Sequence, residues 1–330
     1  QLALAGDPGQ AQGELQFLES LKPVFRQEGV SIDLKIGQLM PFIQRVADTG
    51  DQQLAAAALE LAAILEEAHP NEAKAFSASG DLLYYSGKKQ EALEKYRKTL
   101  QLDDTVFLVW EQVMHIYREE KQYRELFDFS ERAIDYFPNQ AIAYYLHGVA
   151  ADELGERQEA LSVLQQALLM SGNNGFLQMQ IHSRLGLVYN GMEQYERSDQ
   201  SFEAALALNS KSPDALSQYA FALAERGERL DKAREMAALA NDILPKQAEY
   251  LFTYGWVLYQ MKDYKKAREW MEKALRNGGD KDPRMLEHYG DVLYQLNETA
   301  QAIEYWRQAR QQGSDSELLE KKIADKKLYE

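Results

Sequence analysis

The chain has no cysteine, which removes disulfides, thiolate metal sites and cysteine nucleophiles and leaves the redox compartment open. Proline is scarce, eight in 330 residues, so few points force a helix to stop. No stretch reaches the roughly 20 apolar residues that a spanning helix needs. Positive charge is in deficit: 37 Lys and Arg against 52 Asp and Glu give a formal charge of −15. A polyanion would be repelled over most of such a surface, so nucleic acid is not expected as a partner. What is present is 45% hydrophobic and 11% aromatic residues, enough to bury a large core and to exclude a disordered chain.

The first residue is Gln1, not Met, and the chain is read as a piece of a longer protein or a processed form of one. Residues 1–13 hold three Gly, three Ala and three Gln with no helical period and are expected to be flexible. From Glu14 to Gln27 the sequence becomes amphipathic through Leu15, Phe17, Leu18, Leu21, Val24 and Phe25, and Pro23 is expected to kink or shorten that helix.

Aligned with itself, the chain shows a small residue, most often Gly, at Gly80, Met114, Gly148, Gly186, Ala220, Gly255 and Gly290. The spacings are 34, 34, 38, 34, 35 and 35 residues. A second marker follows twelve residues later, thirteen in one case, at Ala92, Leu126, Ala160, Ser198, Ala233, Ala267 and Ala302. A third lies seven further on, at Thr99, Ala133, Ala167, Ala205, Ala240, Ala274 and Ala309, and Pro138 and Pro245 close two of the units. A period near 34 of this kind means paired antiparallel helices. The markers are steric: where helix A of a unit crosses helix B, a side chain larger than a methyl would push the backbones apart. Met114, Leu126, Ser198 and Thr99 break the rule, two of them in the second unit, which should pack least tightly. The segment Ser171 to Gly175 carries the spacing of 38 and reads as a local extension or a hinge.

These markers resemble those of the tetratricopeptide repeat family, over residues 73–314 and seven consecutive units. The resemblance implies an all-α, right-handed α-solenoid of tandem helix-turn-helix repeats. Upstream, residues 14–72 form a helical region with a degenerate repeat: Leu54 to Glu67, ending at His69-Pro70, resembles a helix B, and Asp33 to Val46 is its partner, interrupted by Pro41. Downstream, residues 315–330 supply a C-terminal capping helix, Asp315 to Leu328, with Leu318, Leu319, Ile323 and Leu328 as its apolar residues. The stretch from Leu216 to Leu275 and the tail EHYGDVLYQLNETAQAIEYWRQA also look like the C-terminal repeats of long bacterial envelope proteins of this family, as in Bacteroidetes. That likeness implies the cell envelope, periplasmic or lipid-anchored in a longer protein, with the cytoplasm as the alternative.

No chemistry-bearing constellation emerges. None of His69, His115, His147, His182 and His288 lies three or four residues from another, so neither a metal site nor a cofactor is expected. No phosphate-cradling glycine loop is present, and acids such as Glu119-Glu120 read as a solvated helix face. The chain is expected not to be an enzyme.

In the resembled family, positions two, five, nine, twelve and thirteen of each helix A face the ligand on the concave side. Transferred here, they include Ser77, Asp81, Tyr84 and Tyr85 of the first unit, Leu108, His115 and Arg118 of the second, Tyr145 of the third and Asn190 of the fourth. They continue with Phe221 of the fifth, Phe252, Trp256 and Tyr259 of the sixth, and Glu287, Asp291 and Tyr294 of the seventh. Aromatic anchors with acidic neighbours suit a protein or peptide partner with apolar and basic side chains. The Lys and Asn with which chaperone-type members of the family clamp a carboxylate are missing. The expectation is a non-catalytic interaction scaffold binding through its groove. The alternatives are a self-assembling module joined through its terminal helices and an adaptor that presents substrates to an envelope peptidase.

Overall fold

The computed structural model describes residues 8–314 and 316–329, and every regular element among them is helical. The chain divides into two compact units, the first ending at Leu154 and the second starting at Gly155.

The first unit holds α1 (Pro8–Phe25), α2 (Ile32–Thr49), α3 (Gln52–Ala68), α4 (Ala73–Tyr85), α5 (Lys89–Leu102), α6 (Phe107–Glu119), α7 (Tyr123–Tyr136) and α8 (Ala141–Glu153). Helix α1 starts at Pro8, earlier than the amphipathic pattern suggests; a proline opening a helix loses only an N–H that would have no partner. Residues 1–7 of the segment expected to be flexible lie outside the described residues. Pro23 lets α1 run two residues further, to Phe25. Pro41, expected to interrupt its helix, does not: α2 runs through it as one element. Pro41 is exposed while Leu39, Ile43 and Val46 are buried, so core packing holds the helix across the missing bond. Asp51 caps α3 by accepting from the backbone N–H of Gln53 and Leu54 at 2.9 and 3.0 Å. Leu39, Ile43, Val46, Leu54, Leu61, Leu65 and Leu82 share one core, which joins α2 and α3 to α4. A buried lysine closes this end: Lys35 donates to the carbonyls of Phe25 and Gln27 at 2.9 and 2.7 Å and lies 2.7 Å from His69 Nε2.

The second unit holds α9 (Arg157–Met170), α10 (Gly175–Gly191), α11 (Tyr195–Leu208), α12 (Pro213–Glu225), α13 (Leu230–Ile243), α14 (Ala248–Gln260), α15 (Tyr264–Arg276), α16 (Pro283–Gln295), α17 (Thr299–Gln311) and α18 (Glu317–Asp325), with one short 3-10 turn before α16. The spacing of 38 is explained by α10, which has 17 residues where α8, α12, α14 and α16 each have 13. Asn174 caps it by accepting from Leu177 N at 3.1 Å, so the extra residues extend the helix by about one turn.

Within the units, the pairs α4/α5, α6/α7, α10/α11, α12/α13, α14/α15 and α16/α17 repeat one design. Each A helix ends in the same closure. Lys88, Gln122, Gln194, Glu228, Asp263 and Glu298 donate their backbone N–H to the carbonyl five residues back, and the residue before each has positive φ. The small markers have a specific cause. A methyl on Gly80 would lie 2.7 Å from the Tyr96 ring, on Gly186 2.7 Å from Phe202, on Gly255 2.7 Å from Met271, and on Gly290 2.6 Å from Trp306. In each case the bulky residue comes 16 positions later, on helix B. The second repeat reverses the order, with Met114 at the marker and Ser130 on helix B, both fully buried. Its two helices make the sparsest backbone approach of these six pairs. The polar departures are satisfied by carbonyls: Ser198 donates to Gly186 O at 2.8 Å and Thr99 to Lys95 O at 3.0 Å.

The terminal helix α18 packs on α17 through buried Leu319, while Leu318 stays exposed; Asp315 lies outside the described residues. Its main anchor is polar. Lys322, 4% exposed, donates to Glu287 Oε1 at 2.9 Å and to both oxygens of Asp291 at 3.0 Å. Ser314 and Ser316 donate to Glu287 and the Trp306 indole N–H donates to Asp291 at 2.9 Å, so each carboxylate has further partners. Burial alone would lower the Lys322 ammonium, but Asp291 and Glu287 outweigh it and hold it above its ordinary value.

The steric account separates two glycines. Gly290→Ala is expected to cost about 1–3 kcal/mol, as overpacking does. Gly37→Ala, in α2 with nothing within 4 Å of the added carbon, is expected to be neutral or to stabilise by up to ~1 kcal/mol. Urea titration of both variants checks this, and equal effects would disprove the role assigned to the markers.

Candidate functional site

The A helices carry the positions expected from the sequence to face a ligand, and the two units treat them differently. In the second unit, α12, α14 and α16 fill this face with aromatic rings that pack on one another. Phe252, Trp256 and Tyr259 are buried. Phe221 lies 6.2 Å from Phe252, Trp256 stacks on Tyr259 at 4.7 Å, and the His288 ring is 4.1 Å from Trp256. Arg284 covers Phe221 and Phe252 at 5.4 and 4.9 Å while donating to both oxygens of Glu249 at 2.8 Å. The Trp256 indole N–H donates to Glu225 at 2.6 Å, and Gln295 donates to the Tyr259 hydroxyl at 3.5 Å. Tyr294 is half-buried against Trp306 at 5.8 Å. Asn190 of α10 is half-buried, and its side-chain oxygen has no hydrogen-bond partner among the described residues. Phe252, Trp256 and Tyr259, picked from the sequence as ligand anchors, therefore hold successive A helices together, because rings this large are better served by each other than by water.

The first unit leaves the face open. Tyr145 is buried in α8, but a cleft of about 290 Å³ lies between α2, α4 and α6. Its rim is apolar and exposed: Leu108 at 67%, Met40 at 49%, Val106 at 44% and Tyr85 at 40%. Ser77, Gln112 and Asp81 line its interior, with Tyr96 behind them. The Tyr96 hydroxyl donates to Asp81 Oδ1 at 2.6 Å, and this is the one hydrogen bond the Asp81 carboxylate receives among the described residues. Burial pushes the Asp81 carboxyl above its ordinary value of 3.8, against the opposing pull of the Tyr96 hydrogen bond. Burial and the adjacent carboxylate push Tyr96 up as well, so its proton stays on oxygen.

Around the cleft, Tyr84 donates to Glu119 of α6 at 2.8 Å, and burial followed by that bond pushes its hydroxyl up to about 12. Tyr84 and Tyr85 meet edge to face at 5.3 Å. His115 is half-buried with Nε2 3.6 Å from Glu111, and Arg118 is half-buried at the end of the same helix. The structure places Tyr84 and Tyr85 on α4 and His115 and Arg118 on α6, with Tyr85 alone of these four lining the cleft, and keeps Asn190, Phe221 and Tyr294 on the second unit. Sequence reasoning missed Met40 and Val106, which stand outside the A-helix positions of the seven repeats. It placed Asp81 on the ligand side without singling it out. Among the described residues no three His, Asp or Glu come together as metal ligands.

Asp81 predicts a pH signature. A carboxyl raised above 3.8 in the folded state binds its proton more tightly there, so its contribution to stability is full below 3.8 and is lost as pH rises through the folded value. Asp81→Asn is therefore expected to gain stability relative to the parent chain as pH rises above 3.8, with little difference below it. Thermal melts at a series of pH values test this; a pH-independent difference between the two proteins would refute the environment assigned to Asp81.

Models described as tetratricopeptide repeats match residues 141–174 and 180–212, and a second such model matches 248–278. No curated protein matches the sequence. A tetratricopeptide repeat protein from Parabacteroides merdae is similar over 77% of this chain and 98% of its own, at 16% identity and TM-score 0.59. The APC/C hetero-tetramer Cut9-Hcn1 matches over 98% of this chain and 60% of its own, at 14% identity and TM-score 0.61. Yeast Tom70 matches over 83% of this chain and 58% of its own, at 16% identity and TM-score 0.56. At these identities the likeness is one of fold. The chain contains tetratricopeptide repeats and folds as the all-helical solenoid that such repeats build, a fold that is typically non-catalytic and generally mediates protein–protein interaction.

Proposed function

We propose that this protein is a non-catalytic scaffold that binds a partner protein through the A-helix face of its first unit, at the cleft between α2, α4 and α6. The observation that carries the reading is the exposed apolar rim of Met40, Tyr85, Val106 and Leu108 around the half-buried carboxylate of Asp81. Apolar side chains gathered at a concave site and flanked by polar groups are the usual composition of a recognition surface. A formal charge of −15 favours a basic partner by attraction at long range. The aromatic face of the second unit supports this choice by elimination, since its largest rings already have partners.

A location in the cell envelope belongs to the same proposal. It rests on the likeness of residues 216–275 and of the tail to envelope repeat proteins, and fractionation of source cells with an antibody to this chain tests it.

The binding surface is tested by capture of the natural partner with Leu108→Asp and Tyr85→Ala beside Leu169→Ala, a control on a B helix at 81% exposure. Each cleft variant is expected to weaken capture at least about tenfold, the equivalent of ~1.4 kcal/mol, with the helical circular-dichroism signal unchanged. The control should bind as the parent does. Equal capture by all of them would place the interface elsewhere.

A further inference from the structure

The first and last repeats are built on the same frame. Helices α4, α5 and α6 begin at residues 73, 89 and 107, and α16, α17 and α18 at 283, 299 and 317, a constant offset of 210 with no gap. At this offset Gly80-Asp81 corresponds to Gly290-Asp291, Tyr96 to Trp306, and Val109 to Leu319. The chemistry corresponds too. Each glycine seats the ring of its helix-B aromatic. Each ring then turns its polar tip to the following aspartate: Tyr96 Oη donates to Asp81 at 2.6 Å and Trp306 Nε1 to Asp291 at 2.9 Å.

In the seventh repeat this aspartate has a cation. Lys322 Nζ lies 3.0 Å from both Asp291 oxygens, its neighbour Leu319 buried one turn away. At the same offset in the first repeat stands Gln112, which lines the cleft but gives Asp81 no hydrogen bond. Ser77 stands where the seventh repeat has Glu287, so the cleft keeps the aspartate and its seated ring, under an apolar rim, without the resident cation or the second carboxylate that holds it.

We infer that the first-unit cleft is a lysine-recognition pocket: it takes a primary ammonium from an apolar-flanked segment of a partner protein, which pairs with Asp81 while its stem and neighbours lie against Met40, Val106 and Leu108. The inference rests on the proposed binding face and names the chemistry it selects. The hydrocarbon stem of lysine suits such a rim, because it can be covered while the charged tip finds its partner. A half-buried carboxylate that already accepts one hydrogen bond gains more from an ammonium than a fully exposed one does. The opposite ligand, an acidic tail, would meet Asp81 with like charge.

The probe is a fluorescein-labelled peptide of residues 316–328, whose Lys322 already sits on this geometry at the other end of the chain. In the whole protein the resident α18 keeps Asp291 occupied, so added peptide reports on Asp81. Anisotropy titration up to millimolar protein is expected to show one site. Asp81→Asn in the protein, or Lys322→Gln in the peptide, should each weaken it at least about tenfold, and Tyr96→Phe, which leaves the carboxylate in place, by less than about threefold. The peptide substitution changes the charge without touching the protein, so a folding defect cannot imitate it. Absence of binding, or equal affinity of the Lys and Gln peptides, overturns the inference. If both peptides bind equally and Leu108→Asp abolishes both, the binding face stands and the ammonium preference falls. If Leu108→Asp also leaves capture of the natural partner unchanged, the face itself is wrong.

Discussion

The constraint on which both units depend is the fit of one bulky helix-B side chain into the space left by a missing one on helix A, sixteen residues earlier. Gly80 with Tyr96, Gly186 with Phe202, Gly255 with Met271 and Gly290 with Trp306 are four instances in which even a methyl would strike the ring or thioether. Ala220 with Met236 is a looser version in sequence, and Met114 with Ser130 exchanges the two sizes. Close packing makes such a pair behave as one object, since volume added on one helix must be removed from the other. The consequence reaches beyond stability. Where the bulky residue has a polar tip, seating its ring also fixes the direction of that tip, and the tip in turn orients the aspartate beside the glycine.

Much of the helical frame could be read from the sequence because its causes are local and repeated. Period, small markers and closing prolines each reflect a helix crossing that recurs. The third-to-fourth spacing resolves into an extra turn of α10, initiated by Asn174. What could not be read is where the frame meets a single long-range contact. Pro41 carries a strong local signal to break a helix, and the buried row of Leu39, Ile43 and Val46 overrides it. Lys35 looks like the polar member of an amphipathic helix and Lys322 like a surface lysine in a charged run, yet both are buried and organise the two ends of the chain. Nothing in their immediate neighbours marks them, because their partners lie 8 to 35 residues away or on another helix.

The site was readable only in part for a related reason. The positions expected to face a ligand follow from repeat register, but register does not tell whether a ring there stays open or meets the next helix. Phe252, Trp256 and Tyr259 meet the next helix or one another. Tyr85 and Leu108 stay exposed because α4 and α6 present small or polar groups beside them, Ser77, Asp81 and Gln112. The shared sequence Gly-Asp-hydrophobic-Leu-Tyr at Gly80 to Tyr84 and Gly290 to Tyr294 was the available signal for Asp81. It becomes interpretable once Lys322 shows what the second copy holds.

Because the frame repeats, the repeats serve as controls for one another. The position after the small marker runs Asp81, His115, Val149, Leu187, Phe221, Trp256 and Asp291. Packing of helix A on helix B permits a carboxylate, an imidazole, an aliphatic group or an indole there, so that contact does not choose the residue. What changes with it is the face it leaves behind. Phe221 and Trp256 join the aromatic packing of the second unit and close that face, with Arg284 and His288 laid over the rings. Asp291 would leave its face polar and open, and α18 covers it with Lys322. Asp81, on the same frame, has an apolar rim and no cation among the described residues. The residue after the marker therefore sets the chemistry of each stretch of helix-A face, and the following helix decides whether the same aspartate is covered, by Lys322 over Asp291, or left open, with Gln112 beside Asp81.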